Sequence, residues 1–141
     1  MSECVFCNII TGKSQATFVY KDDEVSAFMD LLPINRGHLL VIPNDHAVTL
    51  DDLDPDTGAH MWKVAQRAAA AIRKSNVKCE GVNLLLADGE AAGQEVFHVH
   101  LHVIPRFSGD EFGFKRTPKA DRLASREELE EVGETLRGML K

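Results

Sequence analysis

The sequence lacks a long apolar run, has only three cysteines and carries no excess of basic residues. No stretch approaches the ~20 apolar residues that a membrane-spanning helix needs, so we expect no membrane span. The first residues, Met1-Ser2-Glu3-Cys4, lack the basic start and apolar stretch of a secretory signal peptide. We therefore expect a cytoplasmic protein, whose cysteines are thiols or metal ligands and not disulfides.

Charge and composition limit the classes of ligand that the chain is expected to bind. Lys and Arg number 16 and Asp and Glu number 22, which gives a formal net charge of −6. Long nucleic acid is an unfavourable partner for such a chain, because its affinity comes mostly from many Lys and Arg contacts to phosphate. A small anionic ligand held by a few well-placed groups is compatible with this charge. The 141 residues contain no repeat, low-complexity tract or linker, so we predict a single domain, 1–141.

The order of predicted elements indicates an α+β fold with a mostly antiparallel sheet. Hydrophobic periodicity predicts strands over residues 17–20, 25–29, 38–42, 82–86 and 98–105. A long helix begins at Asp54-Pro55, where Asp is the N-cap and Pro the first helical residue. Its apolar positions are Met61, Trp62, Val64, Ala65, Ala68 and Ile72. A capping box at Ser125 begins a C-terminal helix with apolar positions Leu129, Val132, Leu136 and Met139.

Three histidines in the last predicted strand form the strongest functional signal. His98, His100 and His102 alternate with apolar residues, so the three imidazoles share one face of the strand. A second and third His at this spacing arise by chance at about 0.2% for this composition. A solvated polar face is the ordinary alternative. Two chemical interpretations stand beside it, namely three ligands of a catalytic Zn²⁺ and a nucleophilic histidine assisted by its neighbours.

The remaining Cys and His residues point to one further site. Cys4-Val5-Phe6-Cys7 has the spacing of half a zinc site, although a redox pair or simple packing has the same spacing. Cys79 has no Cys or His near it in the sequence, so we expect ordinary packing. His60 falls within the long helix, where a surface or packing role is expected.

The residues around the three histidines resemble the histidine triad (HIT) family of nucleotide hydrolases and transferases. Gly93-Gln94-Glu95-Val96-Phe97 precedes the triad, Pro105-Arg106 follows it, and Gly37-His38-Leu39-Leu40-Val41-Ile42-Pro43 lies upstream. The resemblance runs from about Cys4 to Arg106 and is strongest to the zinc-containing Hint-like branch. It implies a five-stranded sheet with one long central helix and a C-terminal helix, in a homodimer in which two such sheets join. Residues 1–106 would form the core, followed by a loop and helix over 107–141.

The resemblance also implies a role for each site histidine. His100 matches the nucleophile, which attacks the α-phosphorus of a nucleotide and forms a nucleotidyl-histidine that water hydrolyses. His102 matches the histidine that contacts the phosphate and helps the leaving group. His98 matches the residue whose backbone carbonyl orients the other nitrogen of the nucleophile. His38 matches a supporting hydrogen-bond residue behind the triad, with a buried structural histidine as the alternative.

Further matches concern the nucleotide, which we expect to be a purine nucleotide such as AMP. Asp30 matches the acid that binds the ribose hydroxyls, and Gln94 a glutamine that contacts phosphate-side oxygens. The positions that form the apolar base pocket in the family correspond to Phe6, Ile9, Phe28 and Leu31. Ile9 and Phe28 are equally typical of residues in an ordinary hydrophobic core. Two positions depart from the family pattern. Glu95 stands where many members have a Ser or Thr that contacts phosphate, so either its side chain turns away and only its backbone N–H binds the nucleotide, or it takes part in leaving-group chemistry. Ala87-Asp88 stands where many members have Asn.

In the zinc-containing branch the implied metal ligands are Cys4, Cys7, His46 and His98. A closed Cys₂His₂ set is structural, so the chemistry would need no catalytic metal.

We expect hydrolysis of adenosine 5′-phosphoramidates or related nucleotidyl adducts. Hydrolysis of diadenosine polyphosphates and a non-catalytic nucleotide-binding module are the alternatives. The loop over 107–122 contains Phe107, Phe112, Phe114, Lys115, Arg116 and Lys119, and is either a solvated surface or a border of the leaving-group side.

Overall fold

The computed structural model describes residues 4–113 and 123–140. It contains three α-helices: α1 (Val5–Ile10), α2 (Pro55–Lys74) and α3 (Arg126–Met139). The five strands are β1 (Phe18–Lys21), β2 (Val25–Met29), β3 (Leu39–Pro43), β4 (Gly81–Leu85) and β5 (Leu101–Arg106). In the described part of the chain, no helix combines the length and the apolar character needed to cross a membrane.

The five strands form one sheet in the order β1-β2-β3-β5-β4, and every neighbouring pair is antiparallel. This confirms the α+β fold and the five-stranded sheet. The chain divides into two compact units between Asp110 and Glu111. The first unit contains the sheet, α1 and α2, and the second contains α3. The single domain therefore stays a prediction.

Helix α2 covers one face of the sheet. Its N-cap is Asp54, whose side chain accepts a hydrogen bond from the N–H of Asp56, and Pro55 is the first helical residue, as predicted. The core between α2 and the sheet includes Met61, Val64, Ala65, Ala69 and Ile72 from the helix. Trp62 was wrongly placed in this core, because its side chain is 53% exposed.

The short helix α1 covers the other face and was not predicted. Phe6 and Ile9, one turn apart, pack against Phe28, Leu40 and Ile42 of the sheet. The N-cap of α1 is Cys4, whose sulfur accepts a hydrogen bond from the N–H of Cys7. This places both N-terminal cysteines on the sheet face that carries the triad.

The triad segment enters the sheet later than predicted. β5 begins at Leu101, so that His98 and His100 precede the ladder and only His102 lies within it. The β3–β5 register pairs Val41 with Leu101 and would next bring Pro43 opposite residue 99. Proline has no N–H to donate, and the N–H of Val99 bonds to the carbonyl of Ala47 instead. The alternation nevertheless persists, since Val99, Leu101 and Val103 all pack into the core beneath α2.

A partly exposed carboxylate, that of Asp22, ties the β1–β2 hairpin to α2. One oxygen of Asp22 accepts from the hydroxyl of Tyr20 and from Nε2 of His60, each at 2.6 Å. Its other oxygen accepts from the N–H groups of Glu24 and Val25, each at 2.8 Å. Burial raises the pKa of Asp22, but these hydrogen bonds outweigh burial and hold the pKa well below its usual range. His60 therefore has the packing role that was expected.

Asp22→Asn should lower the free energy of unfolding by about 2 kcal/mol at pH 7, since hydrogen bonds to a charged acceptor contribute about 1.5–3 kcal/mol. A carboxyl with a depressed pKa in the folded state stabilises the fold above the unfolded pKa of about 4 and loses this contribution as the pH falls through the folded value. Urea unfolding should therefore show a difference between wild type and variant that is constant from pH 7 to 5 and shrinks below about pH 4.

The neighbouring Asp23→Asn is the matched control, because Asp23 is exposed. It should change stability by less than about 0.5 kcal/mol. Equal effects of the two substitutions would show that the hydrogen bonds to Asp22 do not stabilise the hairpin.

Candidate active site and metal centre

His100 presents one ring nitrogen to the site and anchors the other. Its Nδ1 lies 2.7 Å from the carbonyl oxygen of His98. A carbonyl oxygen only accepts, so Nδ1 carries the hydrogen and Nε2 keeps its lone pair. Among the described residues, no group donates a hydrogen bond to that Nε2. The ring is 6% exposed and lies edge-on to Phe6, with centroids 5.1 Å apart. A neutral imidazole held in this way has the properties of a nucleophile.

His102 lies beside His100 and is supported from behind by His38. The ring centroids of His100 and His102 are 5.0 Å apart. Nδ1 of His102 lies 2.9 Å from Nε2 of His38, and Nδ1 of His38 accepts from the N–H of Ile34 at 3.0 Å. Burial, reinforced by the neighbouring His100 and His38, lowers the pKa of His102 to about 4, so the ring is neutral at pH 7.

The loop between β2 and β3 carries Asp30 at one end and His38 at the other. The N–H of Asp30 donates to the carbonyl of His38, and the side chain of Asn35 donates to the carbonyl of Pro105. Gly37 has φ +95°, and a Cβ there would lie 2.9 Å from the side chain of Val77. Both the backbone angle and the space therefore require glycine before His38.

A small pocket of about 100 Å³ lies beside this loop. Its lining includes Phe6, Ile9, Phe28, Asp30 and Leu31, all of which the resemblance assigns to nucleotide binding. Phe6 and Phe28 meet edge to face, with centroids 5.5 Å apart. The structure thus brings the expected base pocket and the expected ribose acid together. The lining residues that sequence reasoning missed are Val5, Gln15, Ala16, Met29 and Leu40.

A larger cavity, of about 400 Å³, lies on the other face of the sheet beneath α2. Its lining includes Ala27, Leu39, Val64 and Ile72, and no triad histidine contributes to it. No triad histidine lines the smaller pocket either, but Phe6 of its lining lies edge-on to His100. The smaller pocket is the candidate site, because it adjoins the loop that carries Asp30.

Gln94 is buried and its side chain is used within the protein. Its amide nitrogen donates to the carbonyls of Val48 and Val96 at 2.6 and 3.1 Å, and its oxygen accepts from the N–H of Gly89. These contacts occupy both amide hydrogens in this structure, and the expected contact of Gln94 with phosphate-side oxygens stays a prediction. Glu95 is exposed. Asp88, at the other departure from the family pattern, accepts from the N–H of Leu50.

Four side chains converge at the N-terminal side of the triad: Cys4, Cys7, His46 and His98. Their ligand atoms all lie within 4.8 Å of one another. The Cys4 Sγ–His98 Nδ1, Cys7 Sγ–His46 Nδ1 and His46 Nδ1–His98 Nδ1 distances are 3.3, 3.4 and 3.2 Å. Bonds of ~2.3 Å to sulfur and ~2.0–2.1 Å to nitrogen place such atoms about 3.3–3.6 Å apart around a tetrahedral zinc. The donor set and its spacing therefore fit zinc.

The hydrogen bonds around His98 also fit a metal ligand. Its Nε2 lies 2.8 Å from the carbonyl of Pro43, so Nε2 carries the hydrogen and Nδ1 directs a lone pair at the cluster. Burial lowers the pKa of His98, which favours the neutral form that binds metal. Since His98 faces the cysteines while His102 faces His38, the three triad imidazoles do not converge on one point. A catalytic zinc held by all three is therefore not supported.

A second group of potential ligands consists of Asp30, His38 and His102. Hydrogen bonds account for their proximity, because Nε2 of His38 is bonded to His102 at 2.9 Å and the N–H of Asp30 donates to the carbonyl of His38. The carboxylate of Asp30 lies 3.4 Å from Nε2 of His38. Part of the loop over 107–122, which was expected to be either a solvated surface or a border of the leaving-group side, lies outside the described residues. That part is 114–122, with Phe114, Lys115, Arg116 and Lys119.

The fold and this arrangement of histidines define the class of protein. The model of the HIT domain family matches residues 11–109. The chain therefore belongs to the HIT domain family. A HIT-like protein of Borreliella burgdorferi is 44% identical over 120 residues, covering 84% of this chain and 86% of that protein.

Solved structures show the same fold. A zinc-bound histidine triad family protein from Mycobacterium smegmatis has a TM-score of 0.76 and 45% identity, over 84% of this chain and 86% of that chain. A HIT family protein from Bacillus anthracis has a TM-score of 0.88 and 36% identity, over 99% of both chains.

The names of two further relatives state an activity or a ligand class. Adenylylsulfatase HINT3 of Arabidopsis thaliana is 39% identical over 109 residues, covering 77% of this chain and 55% of that protein. A histidine triad nucleotide-binding protein from Candida albicans has a TM-score of 0.83 and 26% identity, over 98% of this chain and 97% of that chain.

Proposed function

We propose that this protein hydrolyses nucleotides with a substituted α-phosphate, such as adenosine 5′-phosphoramidates, through a nucleotidyl-His100 intermediate. The observation that carries the proposal is the anchored ring of His100. Its Nδ1 hydrogen is fixed by the carbonyl of His98, which leaves the lone pair of Nε2 for attack. The Arabidopsis relative supports the substrate class, because its name denotes action on an adenylyl adduct.

The reaction has two displacements at phosphorus. Nε2 of His100 forms a bond to the α-phosphorus, the bond to the leaving amine breaks, and the amine takes its electron pair and a proton from solvent. Water then attacks the phosphorus, the N–P bond breaks, and the electron pair returns to His100 while the proton of the water goes to solvent. His102, with its hydrogen on Nε2, donates a hydrogen bond to the phosphate on the leaving-group side.

The nucleotide binds with its base in the small pocket and its ribose on Asp30. Phe6, Ile9, Phe28 and Leu31 offer the base an apolar surface. A carboxylate accepts two hydroxyl hydrogen bonds well, and Asp30 lies at the border between the pocket and His38. Glu95 is exposed, and its carboxylate would turn away from the phosphate.

The zinc-containing, Hint-like branch is the one to which we assign the chain. Cys4, Cys7, His46 and His98 would hold a structural Zn²⁺, which supplies no chemistry to the reaction because all four positions are filled by protein. Its role would be to fix α1 and the backbone of His98, and hence the carbonyl that orients His100. The zinc-bound relative from Mycobacterium smegmatis supports this assignment.

His100→Ala should abolish turnover of an adenosine 5′-phosphoramidate while AMP binding, measured by calorimetry, persists. The nucleophile forms the covalent bond, whereas the base pocket and Asp30 supply binding. Mass spectrometry of a slowed variant such as His102→Ala should show one adenylyl group on His100. His60→Ala is the matched control and should keep activity, since His60 lies in α2 beside Asp22.

The outcome also separates the alternatives. Faster turnover of a diadenosine polyphosphate than of the phosphoramidate would favour the other hydrolase activity. Nucleotide binding without turnover of either substrate would indicate a binding module. Hydrolysis with no adduct in any slowed variant would refute the role of His100.

The metal assignment predicts about one zinc per chain in protein purified from zinc-supplemented medium. Cys7→Ser should lose the metal, as measured by elemental analysis, and should lower the thermal midpoint by roughly 10–20 °C, because a ligand bound at 1,000 times its Kd contributes about 4 kcal/mol. Cys79→Ser should retain zinc, as its thiol bonds to the carbonyl of Gly81 away from the cluster. Metal-free wild type, or equal zinc in both variants, would contradict the assignment.

We further propose the homodimer that the resemblance implies. β4 forms one edge of the five-stranded sheet and can accept a strand of a second copy. Light scattering should give a mass of about twice 15.6 kDa at micromolar concentration. A mass equal to one chain at every concentration up to millimolar would contradict the dimer.

A further inference from the structure

Nε2 of His38 lies near two groups that can accept its hydrogen. It is hydrogen-bonded to Nδ1 of His102 at 2.9 Å, and the carboxylate Oδ2 of Asp30 lies 3.4 Å away without a hydrogen bond. His38 is 2% exposed, so no bulk water competes for this nitrogen. The two acceptors therefore depend on the same group.

That group has a single hydrogen to give. Nδ1 of His38 accepts from the N–H of Ile34 and so carries no hydrogen of its own. Burial lowers the pKa of His38, although the charge of Asp30 opposes this, so the ring is neutral at pH 7. A neutral imidazole holds one hydrogen, which is thus on Nε2. Asp30 and His102 compete for it.

The competition decides the tautomer of His102. When His38 donates to Nδ1 of His102, the hydrogen of His102 must be on Nε2, from which it reaches the phosphate. When the ring of His38 tilts so that its Nε2–H points at Asp30, Nδ1 of His102 loses its donor, and both tautomers of His102 become accessible. A hydrogen on Nδ1 removes the donor that the phosphate needs.

A ribose would change the balance between the acceptors. Oδ1 of Asp30 accepts from the N–H of Leu32 at 2.9 Å, the side chain is 20% exposed, and the carboxylate lines the nucleotide pocket. A carboxylate has about four lone-pair sites, so two hydroxyl groups can donate to it. Donation from the ribose spreads the negative charge of the carboxylate and weakens it as an acceptor for His38.

We propose that Asp30 makes the tautomer of His102 dependent on the ribose: hydroxyls bound to Asp30 weaken its attraction for the hydrogen of His38 and so strengthen the hydrogen bond from His38 to His102. Asp30 is then both the ribose contact and a positioning residue that acts on the phosphate side through His38. This inference rests on the proposed function, since it assigns the ribose to Asp30. The ribose hydroxyls of the substrate would then affect kcat, through His102, as well as KM.

Nitrogen-15 NMR of wild-type protein at pH 7.5 tests the tautomer directly. Spectra are compared for free protein and for complexes saturated with AMP or with 2′,3′-dideoxyadenosine 5′-monophosphate. We expect the Nε2–H tautomer of His102 to increase with AMP and to stay at its free level with the dideoxynucleotide. Equal tautomer populations in the two complexes would overturn the inference but leave the proposed function intact. If neither nucleotide binds, both are overturned.

Kinetics with Asp30→Asn provide the second test. Wild type should turn over an adenosine phosphoramidate with a kcat roughly tenfold above that of its 2′,3′-dideoxy analogue. In Asp30→Asn the uncharged amide competes weakly for the hydrogen of His38, so the ratio of the two kcat values should approach one while KM for the ribose substrate rises. Leu31→Ala, at the pocket lining, is the control and should raise both KM values without changing the kcat ratio. A sugar effect confined to KM in wild type, or an unchanged kcat ratio in Asp30→Asn, would refute the inference.

Discussion

The hydrogen bond from Nδ1 of His100 to the carbonyl of His98 is the contact on which the rest of the site depends. It fixes both the orientation of the ring and the nitrogen that keeps a lone pair. The bond is only as rigid as the backbone of His98, which lies before the sheet ladder begins. The ring of His98 supplies the missing rigidity, because Nε2 binds the carbonyl of Pro43 and Nδ1 faces the cluster that includes Cys4 and Cys7.

The phosphate recognition that we propose for this acidic chain would rely on neutral donors. Burial lowers the pKa values of His38, His98 and His102, so these rings are uncharged at neutral pH. An uncharged imidazole has both an N–H to donate and a lone pair to use, whereas its cation has only donors. In a buried site such oriented N–H groups stabilise developing charge effectively. The net charge of −6 therefore says little about the affinity of the site for a nucleotide.

The sequence predicts the sheet and the triad because both depend on short-range patterns. Strand alternation places His98, His100 and His102 on one face, and Asp54-Pro55 marks the start of α2. Helix α1 escaped prediction because six residues cannot form a stable helix alone, and Phe6 and Ile9 acquire their partners only in the folded chain. The contacts of Gln94 likewise depend on carbonyls that the fold brings to it.

The tautomers could not be predicted, because each one depends on the type of backbone group that meets the ring. A carbonyl oxygen accepts from one ring nitrogen of His98 and of His100, so the other nitrogen presents a lone pair. In His98 this lone pair faces the Cys and His cluster, and in His100 it is the one that would attack the α-phosphorus in the proposed reaction. The N–H of Ile34 binds His38, so the other nitrogen presents a hydrogen instead. Exchanging the two kinds of anchor would give His100 no lone pair for attack and His102 no donor behind it. The backbone group that bonds to each imidazole therefore determines which of its nitrogens donates and which accepts. A histidine motif predicts the chemistry of a site only when these backbone partners are known.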